Sequence, residues 1–203
     1  MKAFDKKAET LQLFIAAETR DRHGKVIHRM RRRRCRSFVQ GYNWAVCAQF
    51  LGAFSPSPAL GPVRDTGGTN WNLRTTSSPF RCGGGAGVTD TGIRVGTSSA
   101  AVAIGQYALQ APIAQGVGSG QMEHLAQAFT FIGVSGNQCS FEIERVIVNN
   151  SGALIAVRET GIYIQATNSF TSGIFLMAAR DLISEDVPDG GSVTVTYTIR
   201  IVA

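Results

Sequence analysis

The chain is short of charge. Only 17% of its 203 residues are Asp, Glu, Lys or Arg, against a usual share of about 25%. That excludes a charged disordered tail and a coiled coil, whose seam needs flanking charges. Lysine is absent after Lys25. No window approaches the roughly 18 uninterrupted apolar residues of a membrane span, so no membrane partner is expected. The opening MKAFDKKAETLQLFIAA sets acidic residues before a short apolar run, unlike an export signal. The four cysteines, Cys35, Cys47, Cys82 and Cys139, include no CxxC pair or zinc-knuckle spacing. They are expected as reduced, mostly buried thiols. No metal or cofactor is implied.

Glycine is plentiful instead, with 23 residues, above the usual share of about 7%. Hydrophobic residues make up 44%. A chain of this length can bury about two-thirds of its unfolded surface, enough for a real core. A glycine-rich, charge-poor chain of this kind leans towards all-β.

The net charge of +6 is unevenly placed. Residues 1–36 hold twelve Lys and Arg against four acids, and residues 37–203 hold eight Arg against ten acids. The positive field is therefore local to the N-terminal segment.

Four segments follow. Residues 1–36 read as a basic hairpin arm: LQLFIAA at 11–17, a turn at Arg22-His23-Gly24-Lys25, then strand character from Val26 into the Arg run. Ser37 stands where a helix N-cap belongs, before an uncharged apolar stretch, so residues 37–54 predict one buried helix. Residues 55–91 hold Pro, Gly and little periodicity, apart from an alternating stretch at 71–76, and read as an interaction loop. Residues 92–203 predict the body, with strands at 92–97, 125–134, 138–149, 153–165, 173–180 and 192–202. The last alternates most clearly, with Val193, Val195, Tyr197, Ile199 and Ile201 on one face. Around Glu144-Arg145 the apolar phase slips, which predicts a β-bulge. The expected fold is a mainly β, antiparallel β-sandwich, jelly-roll-like, with the helix and basic hairpin added at its N-terminal end.

No catalytic constellation stands out, so no enzyme is expected. Asp65-Thr66-Gly67 and Asp90-Thr91-Gly92 spell the aspartic-protease tripeptide. They lie too close together for two lobes, and the apolar strands that should precede them are missing. The glycine runs at 83–87 and 116–120 lack the strand-and-helix setting of a phosphate loop. His23 and His28 lie among arginines that would repel a metal cation, and His124 stands alone. Glu142 and Glu144 share a strand face beside Arg145, which suggests solvated or inter-subunit ion pairs.

The sharp feature is Arg29, Arg31, Arg32, Arg33, Arg34 and Arg36, six arginines in eight residues. They suit phosphate contacts with salt-dependent, sequence-independent affinity. They suit a subunit interface better, against acids such as Glu185, Asp186 and Asp189 of a neighbouring copy. No aromatic residue is interleaved, so a base-stacking platform is not supported. Phe38, Tyr42, Trp44, Phe50 and Trp71 are the candidate apolar oligomer contacts.

In order, the chain carries Arg36-Ser37-Phe38-Val39-Gln40, Gly92-Ile93-Arg94-Val95-Gly96-Thr97, Tyr107-Ala108-Leu109 and Ile113 to Gln121. Glu144 to Gly152, Val157-Arg158-Glu159-Thr160-Gly161-Ile162-Tyr163, Ala179-Arg180-Asp181-Leu182, Val187 to Gly191 and Val195 to Ile199 follow. In these strings the chain resembles a family of small structural virion proteins of tailed bacteriophages. The resemblance covers about 24–50 and 92–203. It implies a non-enzymatic subunit made in the host cytoplasm and carried in the virion. Such a subunit is a head, neck or tail component; a symmetric homo-oligomer in the neck or tail, in contact with other virion proteins, is the expectation here. A capsid decoration protein is one alternative. A binding module is the other, for packaged DNA through the Arg run or for a glycan through Trp71, Tyr107 or Tyr163.

Overall fold

A computed structural model describes residues 10–35, 39, 63–71, 81–135, 138–167 and 172–202. Within them the chain is strands and turns. The strands are β1 (Thr10–Arg20), β2 (Val26–Arg34), β3 (Val63–Arg64), β4 (Asn70–Trp71), β5 (Gly92–Gly96) and β6 (Glu123–His124). They continue with β7 (Ala128–Ser135), β8 (Gln138–Val148), β9 (Ile155–Thr167), β10 (Ser172–Val187) and β11 (Ser192–Val202). The larger sheet runs β2-β1-β11-β8, with β6 and β7 both paired to the far side of β8. The smaller runs β10-β9-β5, and β3 pairs only with β4. All strand pairings are antiparallel.

The expected hairpin forms, because Asp21 builds its turn. Its carboxylate accepts from the amides of His23 and Lys25, at 2.9 and 3.0 Å. Gly24 takes a φ of 78°, a region only glycine enters freely. The hairpin is no appended arm, however. β1 lies between β2 and β11, in register with β11 from Thr10↔Val202 to Arg20↔Ser192. The alternation Leu13, Ile15, Ala17, Thr19 faces inward and is buried. Strand pattern was visible here, but its partner stands at the other end of the chain.

The two sheets share one buried apolar cluster. The larger contributes Leu13, Ile15, Ile143, Ile147, Val193, Val195 and Tyr197. The smaller contributes Ile93, Val95, Val157, Ile162, Ile164, Leu176 and Ile183. β10 runs well past the expected end at residue 180, with three register shifts against β9. Its charged stretch is strand because Arg180, Asp181 and Glu185 are buried and paired.

The expected bulge at Glu144-Arg145 is absent. β8 pairs with β11 without a shift from Gln138 to Val148. The apolar phase only looked broken because Arg145 occupies an inward position between Ile143 and Ile147, wholly buried. Its guanidinium donates to the carbonyls of Leu125, Ile93, Gly85 and Val88 at 2.7–3.0 Å. A buried cation is thus satisfied by backbone alone, and it staples the loop 82–91 to the sheet. Burial, reinforced by nearby Arg94, lowers its pKa to about 10.

The outer face of the smaller sheet is covered by the loop after β5. Glu159 accepts from the amides of Gln110 and Ala111, at 3.1 and 2.7 Å. Arg180 binds Glu159 at 2.7 Å, Gln106 at 3.0 Å and the Ala100 carbonyl at 3.0 Å. Gly96 permits this approach, since a Cβ there would lie 2.5 Å from both the Ala111 carbonyl and Glu159 Oε1. Val39 joins the same layer beside Leu109, Tyr163 and Met177. The helix expected over 37–54 gains no support. Apart from Val39 it lies outside the described residues, and Val39 is in no helix. Its amide donates to the Ala178 carbonyl at 3.1 Å. Among the described residues no helix is long and apolar enough to cross a membrane.

Candidate functional site

β2 is an edge strand, and it carries five of the six candidate arginines. Its partner β1 sorts them by face. Arg33 stands opposite Ile15 and faces inward, while Arg29 and Arg34 stand opposite Glu18 and Phe14 and face outward. One extra residue on β2, between Arg33 and Met30, sets Arg31 and Arg32 opposite the single residue Ala16.

Three of the five are occupied within the chain. Arg33 grips Asp181 with both terminal nitrogens, at 3.1 and 3.2 Å, and also donates to the Leu182 carbonyl. Arg29 binds Glu18 at 2.7 and 2.5 Å. This contact is the main reason the Glu18 carboxyl is held below the usual range, helped by Arg20. Arg32 lies over the Phe14 ring, 4.7 Å from its centre, and Arg200 also approaches that ring, at 5.1 Å. Arg31 and Arg34 are exposed and make no ion pair among the described residues. Arg36, Phe38, Tyr42, Trp44 and Phe50 lie outside the described residues.

The acids expected to meet the arginines across copies are taken. Glu185, wholly buried, accepts from Thr19 at 2.5 Å and pairs with His28 at 2.7 Å. Asp186 pairs with Arg158 at 2.6 Å, and Asp189 accepts the Gly152 amide at 2.8 Å. Asp181, the partner of Arg33, is not singled out by the sequence pattern. Its only signal was an acid following the apolar run of β10.

The outward face of the larger sheet holds a second set of acids. Glu142 and Glu144 accept from Thr198 and Thr196 at 2.9 and 3.0 Å. Neither has a cationic partner among the described residues, and Arg145 points the other way. Between these acids and the arginine edge runs an open groove of about 510 Å³, floored by Ala16, Thr194 and Thr196.

Among the described residues the inward face of the same sheet is not covered along its whole length, because the opposing sheet has three strands there. Phe129, Ile132, Phe141 and Leu11 remain 53%, 52%, 38% and 41% exposed. Phe129 pairs with the core residue Ile143, and Phe141 with Ile199, so both point to the core side.

The remaining candidates are structural. Trp71 is half-buried, its indole N–H on Asp65 at 2.6 Å, and Asp65 closes the β3–β4 turn through the Thr69 amide at 2.8 Å. Asp90 is exposed on the loop into β5. Tyr107 is half-buried against Arg64, and Tyr163 is buried with its hydroxyl accepting from the Leu109 amide at 2.9 Å. Burial, with Asp181 adding to it, pushes the Cys35 thiol far up. Burial takes Cys82 to about 11, so neither is a thiolate at neutral pH. His124 is buried and lowered to about 4, by desolvation and then by Arg145 and Arg94. Among the described residues no three His, Cys, Asp or Glu side chains gather to hold a metal ion.

Comparison of the chain with protein-family models, with curated proteins and with solved structures gives no match.

Proposed function

We propose that the chain is a non-enzymatic structural subunit, a jelly-roll-like β-sandwich that works by assembling with copies of itself. The sequence resemblance supports a structural role in the particle of a tailed phage; the neck or tail is the position proposed, with capsid decoration as the alternative. The observation that carries assembly is the overhang of the larger sheet. Phe129, Ile132, Phe141 and Leu11 are large apolar residues on or beside one stretch of it, and they stay in water in the single chain. Clustered exposed apolar surface of this kind marks an interaction site.

Two binding-module readings lose ground on specific contacts. For DNA, Arg29, Arg32 and Arg33 are engaged within the chain, which leaves Arg31 and Arg34 of the described run. For a glycan, Tyr163 is buried, Tyr107 is half-buried with Arg64 over its ring, and Trp71 is half-buried against the core.

Light scattering coupled to size-exclusion chromatography tests the reading, together with mass spectrometry of purified particles. A defined oligomer and presence in particles are expected. A monomer at high concentration that is also missing from particles overturns it.

A further inference from the structure

The outward face of the larger sheet is ordered in rows by its strand register. One row reads Arg34, Phe14, Thr198, Glu142, Thr130 from β2 across to β7. The next reads Arg31 and Arg32, Ala16, Thr196, Glu144, Ala128. Each row begins with an arginine at one edge. Each ends with a glutamate one strand in from the other edge, behind a small residue.

Within one chain the two charges of a row cannot meet. They stand three strand spacings apart, roughly 14 Å, with Phe14 or Ala16 and a threonine between them. Arg31 and Arg34 have no ion partner among the described residues, and neither do Glu142 and Glu144.

We propose that the β2 edge of one copy pairs with the β7 edge of the next, so that Arg34 and Arg31 reach Glu142 and Glu144 of that neighbour. This rests on the self-assembly reading above and names its interface. Three properties of the sheet support it. First, no strand pairs with the outer side of β2 or of β7 among the described residues, so both edges offer unpaired backbone groups. Second, β2 and β7 run in the same direction, because each is an even number of antiparallel steps from β11. A head-to-tail pair therefore joins as parallel strands with the outward faces continuous. The charges then lie two strand spacings apart, roughly 9.6 Å, which an arginine and a glutamate span together across Thr130 or Ala128. Third, the arginines forbid the competing arrangement. Pairing β2 with β2 about a two-fold axis would set Arg31 and Arg34 against their own kind. β7 carries no charge, so it accepts the basic edge. A contact between two different edges repeats head to tail, and it closes into a ring when the rotation allows. Phe129, on β7, is drawn into the same junction.

The test is charge exchange, read by light scattering and sedimentation. The double variant R31E/R34E is expected to weaken assembly by about tenfold or more, and so is E142R/E144R. The fourfold variant R31E/R34E/E142R/E144R is expected to restore it. Arg31, Arg34 and Glu144 are exposed and Glu142 is half-buried, and a circular dichroism melt checks that each variant is folded. A second readout is trapping: R31C with A128C is expected to give a ladder of covalent oligomers on non-reducing gels. If the wild-type chain stays a monomer at high concentration, this interface fails, and absence from particles as well overturns the assembly reading itself. If it assembles but the reversals change nothing and no ladder forms, this interface is wrong and assembly stands. If R31E/R34E loses salt-dependent DNA binding while assembly is untouched, the arginines serve nucleic acid and the proposal is overturned.

Discussion

Glu159 and Arg180 form an ion pair at 2.7 Å in which neither side chain has any exposed surface. Such a pair repays its desolvation only when the remaining valences are filled. They are: Gln110, Ala111, Gln106 and Ala100 supply the other bonds, all from the covering loop. Removing one partner strands the other charge in the core. Arg180→Met is expected to cost about 3–5 kcal/mol in urea unfolding, and Arg180→Met with Glu159→Gln to recover much of it. A single variant within 1 kcal/mol of wild type, about the size of an exposed pair, would contradict the burial.

Arg145 is held by carbonyls alone, so its removal leaves several buried acceptors bare. Arg145→Met keeps the volume and loses the bonds. More than about 2 kcal/mol of stability should go with them. Hydrogen exchange should accelerate at residues 83–91, which the guanidinium pins. If exchange there stays at the wild-type rate, the loop is held by something else.

His124 predicts an acid-side loss of stability. Its pKa is about 4 when folded against an ordinary 6.5. Between those values the unfolded chain binds a proton that the folded chain refuses, so stability rises with pH across the window. As pH falls from about 6.5 to about 4, the loss should be on the order of 2–3 kcal/mol. His124→Gln should flatten that limb of the pH–stability curve. An unchanged slope would assign the acid sensitivity to the carboxylates.

Deleting residues 1–35 should prevent folding, because it removes β2 and β1 together and leaves the whole β1-facing side of β11 unpaired. Leu13, Ile15 and Ala17 leave the core with β1. A truncated chain with a cooperative melt and wild-type strand content by circular dichroism would show that the remaining strands suffice.

Strand existence was legible wherever alternation was clean. The alternation predicts β11 at its observed bounds, and β5, β8 and β9 to within a few residues. What misled was charge at inward positions. Arg145 looked like a break in β8, and Arg180, Asp181 and Glu185 looked like the end of β10. Charged side chains normally seek water, and their partners lie far off in sequence. The basic run was visible, but its division was not. The hairpin register decides which arginines are spent on Glu18, Phe14 and Asp181 and which remain for a partner.

The pairing of β1 with β11 also orders events in time. During synthesis β1 emerges early, yet its long partner is separated from it by nearly the whole described chain. Until β11 has left the ribosome, β1 can do no more than fold back on β2, and a two-stranded hairpin is marginal in water. Closing so long a loop is entropically costly and slow. The larger sheet, with both of its edges, therefore comes into being only once β11 is free to pair. A chain made only as far as β10 has no complete sheet to offer a neighbour, and assembly waits for subunits that hold β11.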